Sequence, residues 1–257
     1  MPPVRTGTRL LAVLSLALPI TLASISPSRA ATGLPDAGEI VRKADEVRFP
    51  SYGFQVNITV STYQSDGTPS LRKYQILSKG NERTLVRTTF PAVDRGQIML
   101  MRDQDLWVFL PKVSQAVRLP LSQKLTGQVA NGDLARANFA GDYRATITSE
   151  EQIDKDAYYV LLLEANRRGV TYHEVKYWVN KKTYRPYKAE FYTVSKRLIK
   201  TAKYEEFKEL GGAVRPTKLV LEDTARQGEK SEMVYAEMKT RKLDDKIFTK
   251  QYLTKLQ

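Results

Sequence analysis

The spacing of apolar residues changes period near Pro50. Before it, Ile40, Val41, Ala44 and Val47 recur at helical intervals between Pro35 and Pro50, which predicts a short amphipathic helix over 36–49. After it the period is two: Tyr52, Phe54, Val56, Ile58 and Val60 alternate with Gly53, Gln55, Asn57, Thr59 and Ser61, the pattern of a strand with one dry and one wet face. Further strands are expected over 71–77, 83–90, 97–101, 106–110 and 116–119, separated by turn residues such as Ser65-Asp66-Gly67 and Lys79-Gly80-Asn81. Leu106-Trp107-Val108-Phe109-Leu110 is almost continuously apolar, so this strand should be covered on both faces.

The stretch 121–143 interrupts the series. Its Gly127, Asn131, Gly132 and Gly141 exclude one long helix, yet it holds too many apolar residues for a solvated loop, so short helical pieces lying on the sheet are expected. Strands resume over 144–148, 158–165, 171–180, 186–193, 198–207, 214–222 and 229–238, with turns at Arg167-Arg168-Gly169, Gly211-Gly212 and Gln227-Gly228. The tail spaces Ile247, Phe248, Tyr252, Leu253 and Leu256 for a closing helix. About a dozen strands in meander order must curl or be covered at their edges. The fold class is therefore mainly β (α+β): a strongly curved antiparallel half-barrel with short helices covering its concave side, and with room there for an apolar hollow.

The N-terminus changes the picture of where this domain works. Arg5 and Arg9 precede an uncharged apolar run over 10–23 that is broken by Pro19 and is shorter than the roughly twenty residues a membrane helix needs. Ser28-Arg29-Ala30 then supplies small residues for cleavage. The expectation is a signal peptide over 1–30, a single domain over 31–257 and a soluble, unanchored monomer in the periplasm. With no cysteine, neither lipid acylation at a thiol nor a disulfide is available. The whole chain carries 41 basic and 28 acidic side chains, a net charge of +13. That excess suits anionic surfaces, and export makes nucleic acid an unexpected partner.

Parts for catalysis are scarce. His173 is the single histidine, there is no G-x-S-x-G nucleophile turn, and no cluster has metal-ligand spacing. The pairs Glu150-Glu151, Glu205-Glu206 and Asp244-Asp245 are adjacent residues, which on a strand point to opposite faces. A non-enzymatic protein without cofactor or metal is expected.

The most specific segment is Gly132-Asp133-Leu134-Ala135-Arg136-Ala137-Asn138-Phe139-Ala140-Gly141-Asp142-Tyr143, taken with Asp105-Leu106-Trp107-Val108-Phe109-Leu110-Pro111-Lys112 ahead of it and Leu243-Asp244-Asp245-Lys246-Ile247-Phe248 near the end. These resemble the LolA-like family of outer membrane lipoprotein-sorting proteins, in which an "LWLYLP" strand is followed by a basic segment and then by a signature of the kind "GSDF-x-Y-x-D". Here Lys112 and Arg118 supply the basic elements, and the Gly-Ser-Asp-Phe core of the second signature is replaced, as in a sub-branch. The resemblance implies a half-closed barrel, lined with apolar and aromatic residues under a helical lid, that holds acyl chains of lipids or lipoproteins in the periplasm. An inner-membrane transporter is then a candidate partner, and an accessory or sensory module of the same fold is the alternative. Candidate cavity residues are Trp107, Phe109, Phe139, Tyr143 and Tyr158. Trp107 and Phe109 share one strand face, which is the face expected to line the hollow.

Overall fold

The computed structural model describes residues 1–3, 35–64, 68–80, 82–110, 115–136, 138–226 and 228–254. The expected signal segment beyond residue 3, the 65–67 turn, Pro111-Lys112 and Leu256 lie outside the described residues.

Helix α1 (Ala37–Arg48) begins where the Asp36 carboxylate accepts the Gly38 N–H at 2.9 Å, a side-chain cap, and it ends at Phe49, which adopts extended backbone ahead of Pro50. Its solvent face is tied by Arg42 to Glu39 and Glu46, three and four residues away. Its other face buries Ile40, Val41 and Ala44, all at most 1% exposed; Ile40 and Val41 each contribute roughly 1.5–3 kcal/mol by leaving water.

The strands follow: β1 (Phe54–Tyr63), β2 (Ser70–Lys79), β3 (Arg83–Phe90), β4 (Ile98–Arg102), β5 (Asp105–Phe109) and β6 (Val117–Leu119). A small ribbon, β7 (Lys124–Thr126) with β8 (Val129–Ala130), leads into α2 (Asn131–Ala135) and α3 (Phe139–Asp142). The second run is β9 (Tyr143–Ile153), β10 (Asp156–Ala165), β11 (Glu174–Asn180), β12 (Pro186–Tyr192), β13 (Leu198–Leu210), β14 (Ala213–Asp223) and β15 (Lys230–Thr240). A 3-10 turn at Asp245–Phe248 and helix α4 (Lys250–Thr254) close the chain.

Thirteen of these strands form one antiparallel sheet in the order β6-β5-β4-β3-β2-β1-β15-β14-β13-β12-β11-β10-β9. This is not the simple meander expected from the hairpin spacing. It is two meanders joined where β1 pairs with β15, from Phe54 opposite Thr240 to Tyr63 opposite Lys230, so the first and last strands sit in the middle of the sheet. The edges are β6 and β9, the two strands flanking the interruption over 121–142. There the chain leaves one edge and reaches the other, and α2 and α3 join the core on the way.

The sheet has two apolar faces around β3–β5. The inner one holds Val86, Met99, Met101, Leu106 and Val108 in the main cluster with α1, α2 and α3. The outer one holds Leu85, Ile98, Leu100 and Phe109, with Trp107 against them, under Phe248 and Leu253 of the tail. The continuously apolar 106–110 strand is thus covered on both sides, as its sequence predicts. The tail packs through Ile247, Phe248, Tyr252 and Leu253, but as a strap on the outer face rather than as a filler of the concave side. No described helix is long and apolar enough to cross a membrane.

Candidate functional site

The interior beneath α1 is close-packed. Phe139 meets Tyr143 at 5.6 Å and Tyr177 at 5.4 Å between ring centroids, both edge to face, and Tyr177 meets Tyr204 at 6.1 Å. The Arg48 guanidinium lies over the Phe139 ring at 4.4 Å while pairing with Asp45 at 3.1 Å. Asp45 also accepts the Ala140 N–H at 2.8 Å, which ties α3 to α1. Burial raises the Asp45 carboxyl to a pKa of about 6, against the opposing pull of Arg48 and of the backbone N–H groups of Ala140 and Phe139; the nearby Asp142 adds to the rise. The gap bounded by Phe49, Phe54, Leu134 and Ala135 measures about 20 Å³, room for a water and not for an acyl chain.

A larger space opens at one end of the sheet. A cleft of about 630 Å³ lies between the β10–β11 hairpin tip (165–173), the β12–β13 turn (192–194), Ile199 and Ser122. Its size falls in the range that small ligands occupy. A second cleft of about 220 Å³ shares Ser122, Tyr172 and Ile199 with it and extends to Lys124, Lys200 and Asp223. A third, of about 290 Å³, touches it at Gly169 and runs along Arg118–Leu121. Val170, Val194 and Ile199 give the largest cleft apolar walls, and Val194 is 75% exposed.

Two ionic clusters hold the floor of this region. Asp133 of α2 accepts from Lys200 Nζ at 2.9 Å, from the Tyr172 hydroxyl at 2.8 Å and from the Ala130 N–H at 2.8 Å. Lys200 also donates to the Gln128 carbonyl at 2.7 Å, and its ammonium lies 4.7 Å from the Tyr172 ring. Burial and the adjoining Asp133 hold the Tyr172 phenol well above its ordinary pKa, so it stays a donor. Asp142 of α3 accepts from Arg136 Nε and Nη2 at 2.6 and 2.7 Å and from Arg167 Nη2 at 2.6 Å. Gly132 allows the close approach of α2 to the hairpin, since a Cβ there would fall 1.9 Å from Thr171 Oγ1. At Gly127, φ of +51° and a Cβ position 2.2 Å from Thr62 Oγ1 impose glycine in the β7–β8 turn.

The five residues expected to line one hollow are not brought together. Trp107 and Phe109 face outward beneath the tail, because the pleat of β5 turns Leu106 and Val108 inward. Phe139 and Tyr143 are 8% and 6% exposed and adjoin in the interior. Tyr158 lies near the start of β10, against Tyr187 at 5.2 Å, far along the strand from the hairpin tip. The cleft residues Arg167, Arg168, Tyr172 and Lys200 had no chemical motif to mark them, and Arg167-Arg168-Gly169 reads only as a turn. Asp133 and Asp142 were within reach, since both belong to the most specific segment of the sequence.

A wide, open, antiparallel sheet wrapped around α1, α2 and α3 defines the class as a half-barrel fold. A family model described as "uncharacterized protein" matches residues 80–255. The solved structure of a LolA superfamily protein from Nitrosomonas europaea is 54% identical, with a TM-score of 0.81, covering 85% of this chain and 100% of that one. The chain belongs to the LolA superfamily. Two more distant structures share its fold. A DUF1329 family protein from Desulfovibrio piger has a TM-score of 0.72 at 21% identity, over 84% of this chain and 97% of that one. A putative outer membrane lipoprotein-sorting protein domain from Vibrio parahaemolyticus has a TM-score of 0.70 at 18% identity, over 85% and 98%. No curated protein matches the sequence.

Proposed function

We propose that the protein is a periplasmic carrier that binds the acyl part of a lipid or lipoprotein and passes it on without chemistry. Membership of the LolA superfamily supports the ligand class, and the signal-like N-terminus supports the compartment. The observation that carries the reading is the 630 Å³ cleft with Val170, Val194 and Ile199 on its walls, an apolar recess left open to solvent. Roughly eight methylenes buried there would contribute on the order of 6 kcal/mol before ordering costs, so affinity needs no reactive group. A longer chain has room to continue into the adjoining clefts of about 220 and 290 Å³.

The test is displacement of an environment-sensitive apolar dye by a long-chain fatty acid, combined with mass spectrometry of organic extracts from protein purified without detergent. Ile199→Asp should abolish dye binding. Trp107→Ala should leave it unchanged, since that ring lies on the outer face. Absence of both displaceable dye and co-purified lipid would overturn the carrier.

A further inference from the structure

Three interior carboxylates differ in how their charge is balanced. Among the described residues, Asp45 is met by the single cation Arg48, and Asp133 by the single cation Lys200 with a neutral phenol beside it. Asp142 instead serves two guanidiniums, Arg136 and Arg167. Asp142 is 4% exposed, and the side chains of Arg136 and Arg167 are 7% and 17% exposed, so this set holds one positive charge beyond its negative charge under cover. Arg167 spends Nε and Nη2 on Asp142, whereas its Nη1 is buried and has no acceptor among the described residues. Arg136 has no such vacancy at Nη1, which donates to the Asp103 carbonyl at 2.8 Å. Leaving a buried donor unmade and a buried charge unmatched is costly, and one anionic oxygen would remedy both.

Arg167 is also a wall of the 630 Å³ cleft. Arg168 and His173, both exposed, stand on the same wall, and the apolar patch of Val170, Val194 and Ile199 adjoins them. Guanidinium groups next to aliphatic side chains in one cleft match an amphiphile, not a neutral oil. Resting on the carrier reading, we infer that the cleft selects its ligand by the head as well as the tail: a phosphate- or carboxylate-bearing head is held by Arg167 and Arg168, and the start of the acyl chain lies along Val170, Val194 and Ile199. Asp142 is then a positioning residue that fixes the plane of the Arg167 guanidinium for charge-assisted bonding.

The experiment compares binding of dodecyl phosphate, of neutral monolaurin with the same chain length and of inorganic phosphate to the purified protein, below micelle-forming concentrations. Dodecyl phosphate should bind at least about tenfold more tightly than monolaurin, the margin of one good charge-assisted contact. Arg167→Gln and Arg168→Gln should each erase most of that preference, weakening dodecyl phosphate binding several-fold more than monolaurin binding. Arg168 is exposed, so its variant folds normally and decides the matter if Arg167→Gln does not. Equal affinity for the two amphiphiles, or a preference that survives Arg168→Gln and any folded Arg167 variant, overturns the head assignment while the carrier stands. Inorganic phosphate binding as tightly as dodecyl phosphate overturns it too, by showing an anion site that needs no tail. Failure of every amphiphile to bind removes the carrier reading along with it.

Discussion

Over β3–β5 the outer face of the sheet meets Phe248 and Leu253 of the C-terminal strap, and the cluster there consists of buried Leu85, Ile98, Leu100 and Phe109. The inner face meets α1, α2 and α3, which bring Asp45, Arg48, Asp133 and Asp142 under cover among tyrosines. Both layers exclude water. They differ in what holds them: the strap depends on apolar area, while the inner layer depends on each buried charge finding its partner in the right place. An apolar cover tolerates small displacements, because burial is not directional, but a guanidinium moved from its carboxylate loses its compensation at once. The inner layer is therefore the side where rearrangement is coupled to charge, and the cleft that carries the proposed ligand opens beside it.

The sharpest way to break this contrast is Asp142→Ala, which strands Arg136 and Arg167 together. Removing one partner of a buried pair costs about 3–5 kcal/mol, and two stranded cations put this variant at or above about 5. Urea denaturation should show it, and a loss below about 1 kcal/mol would mean that water already screens the cluster. On the outer side, Phe248→Ala removes a ring that is 1% exposed and should cost about 3 to 5 kcal/mol. Its loss should be nearly independent of pH between 4 and 7, and an unchanged melting temperature would show the strap to be dispensable.

The third expectation concerns pH and applies to the inner layer alone. The Asp45 carboxyl is raised from 3.8 to about 6 by burial, so the folded state holds this proton more tightly than the unfolded chain does. Its contribution is fully present below pH 3.8 and is lost as pH rises through about 6, in total up to about 3 kcal/mol. The groups facing it are Arg48 on its own helix, Asp142 and the backbone N–H of Ala140 on α3. Asp45→Asn should flatten the stability curve between pH 4 and 6 relative to the unmutated protein. Parallel curves for the two proteins would contradict the raised pKa.

The sequence by itself determined the elements and the class. Alternation along 52–61 and its counterparts produced strands because a half-buried pleat demands period two, and Asp36 and Pro50 bounded α1 because a helix needs a cap and cannot pass through a proline. The Gly-rich interruption was legible for the same local reason. Which face of β5 turned inward was not, since Leu106-Trp107-Val108-Phe109 offers two apolar faces of equal merit and only the positions of α2 and the tail separate them. Nor was the joining of β1 to β15, a pairing across the length of the chain that no hairpin spacing announces. The cleft belongs to the same category. Arg167 becomes more than a turn residue only because the fold lays Asp142, already paired with Arg136, against it, and a charge balance of that kind exists in space rather than along the sequence.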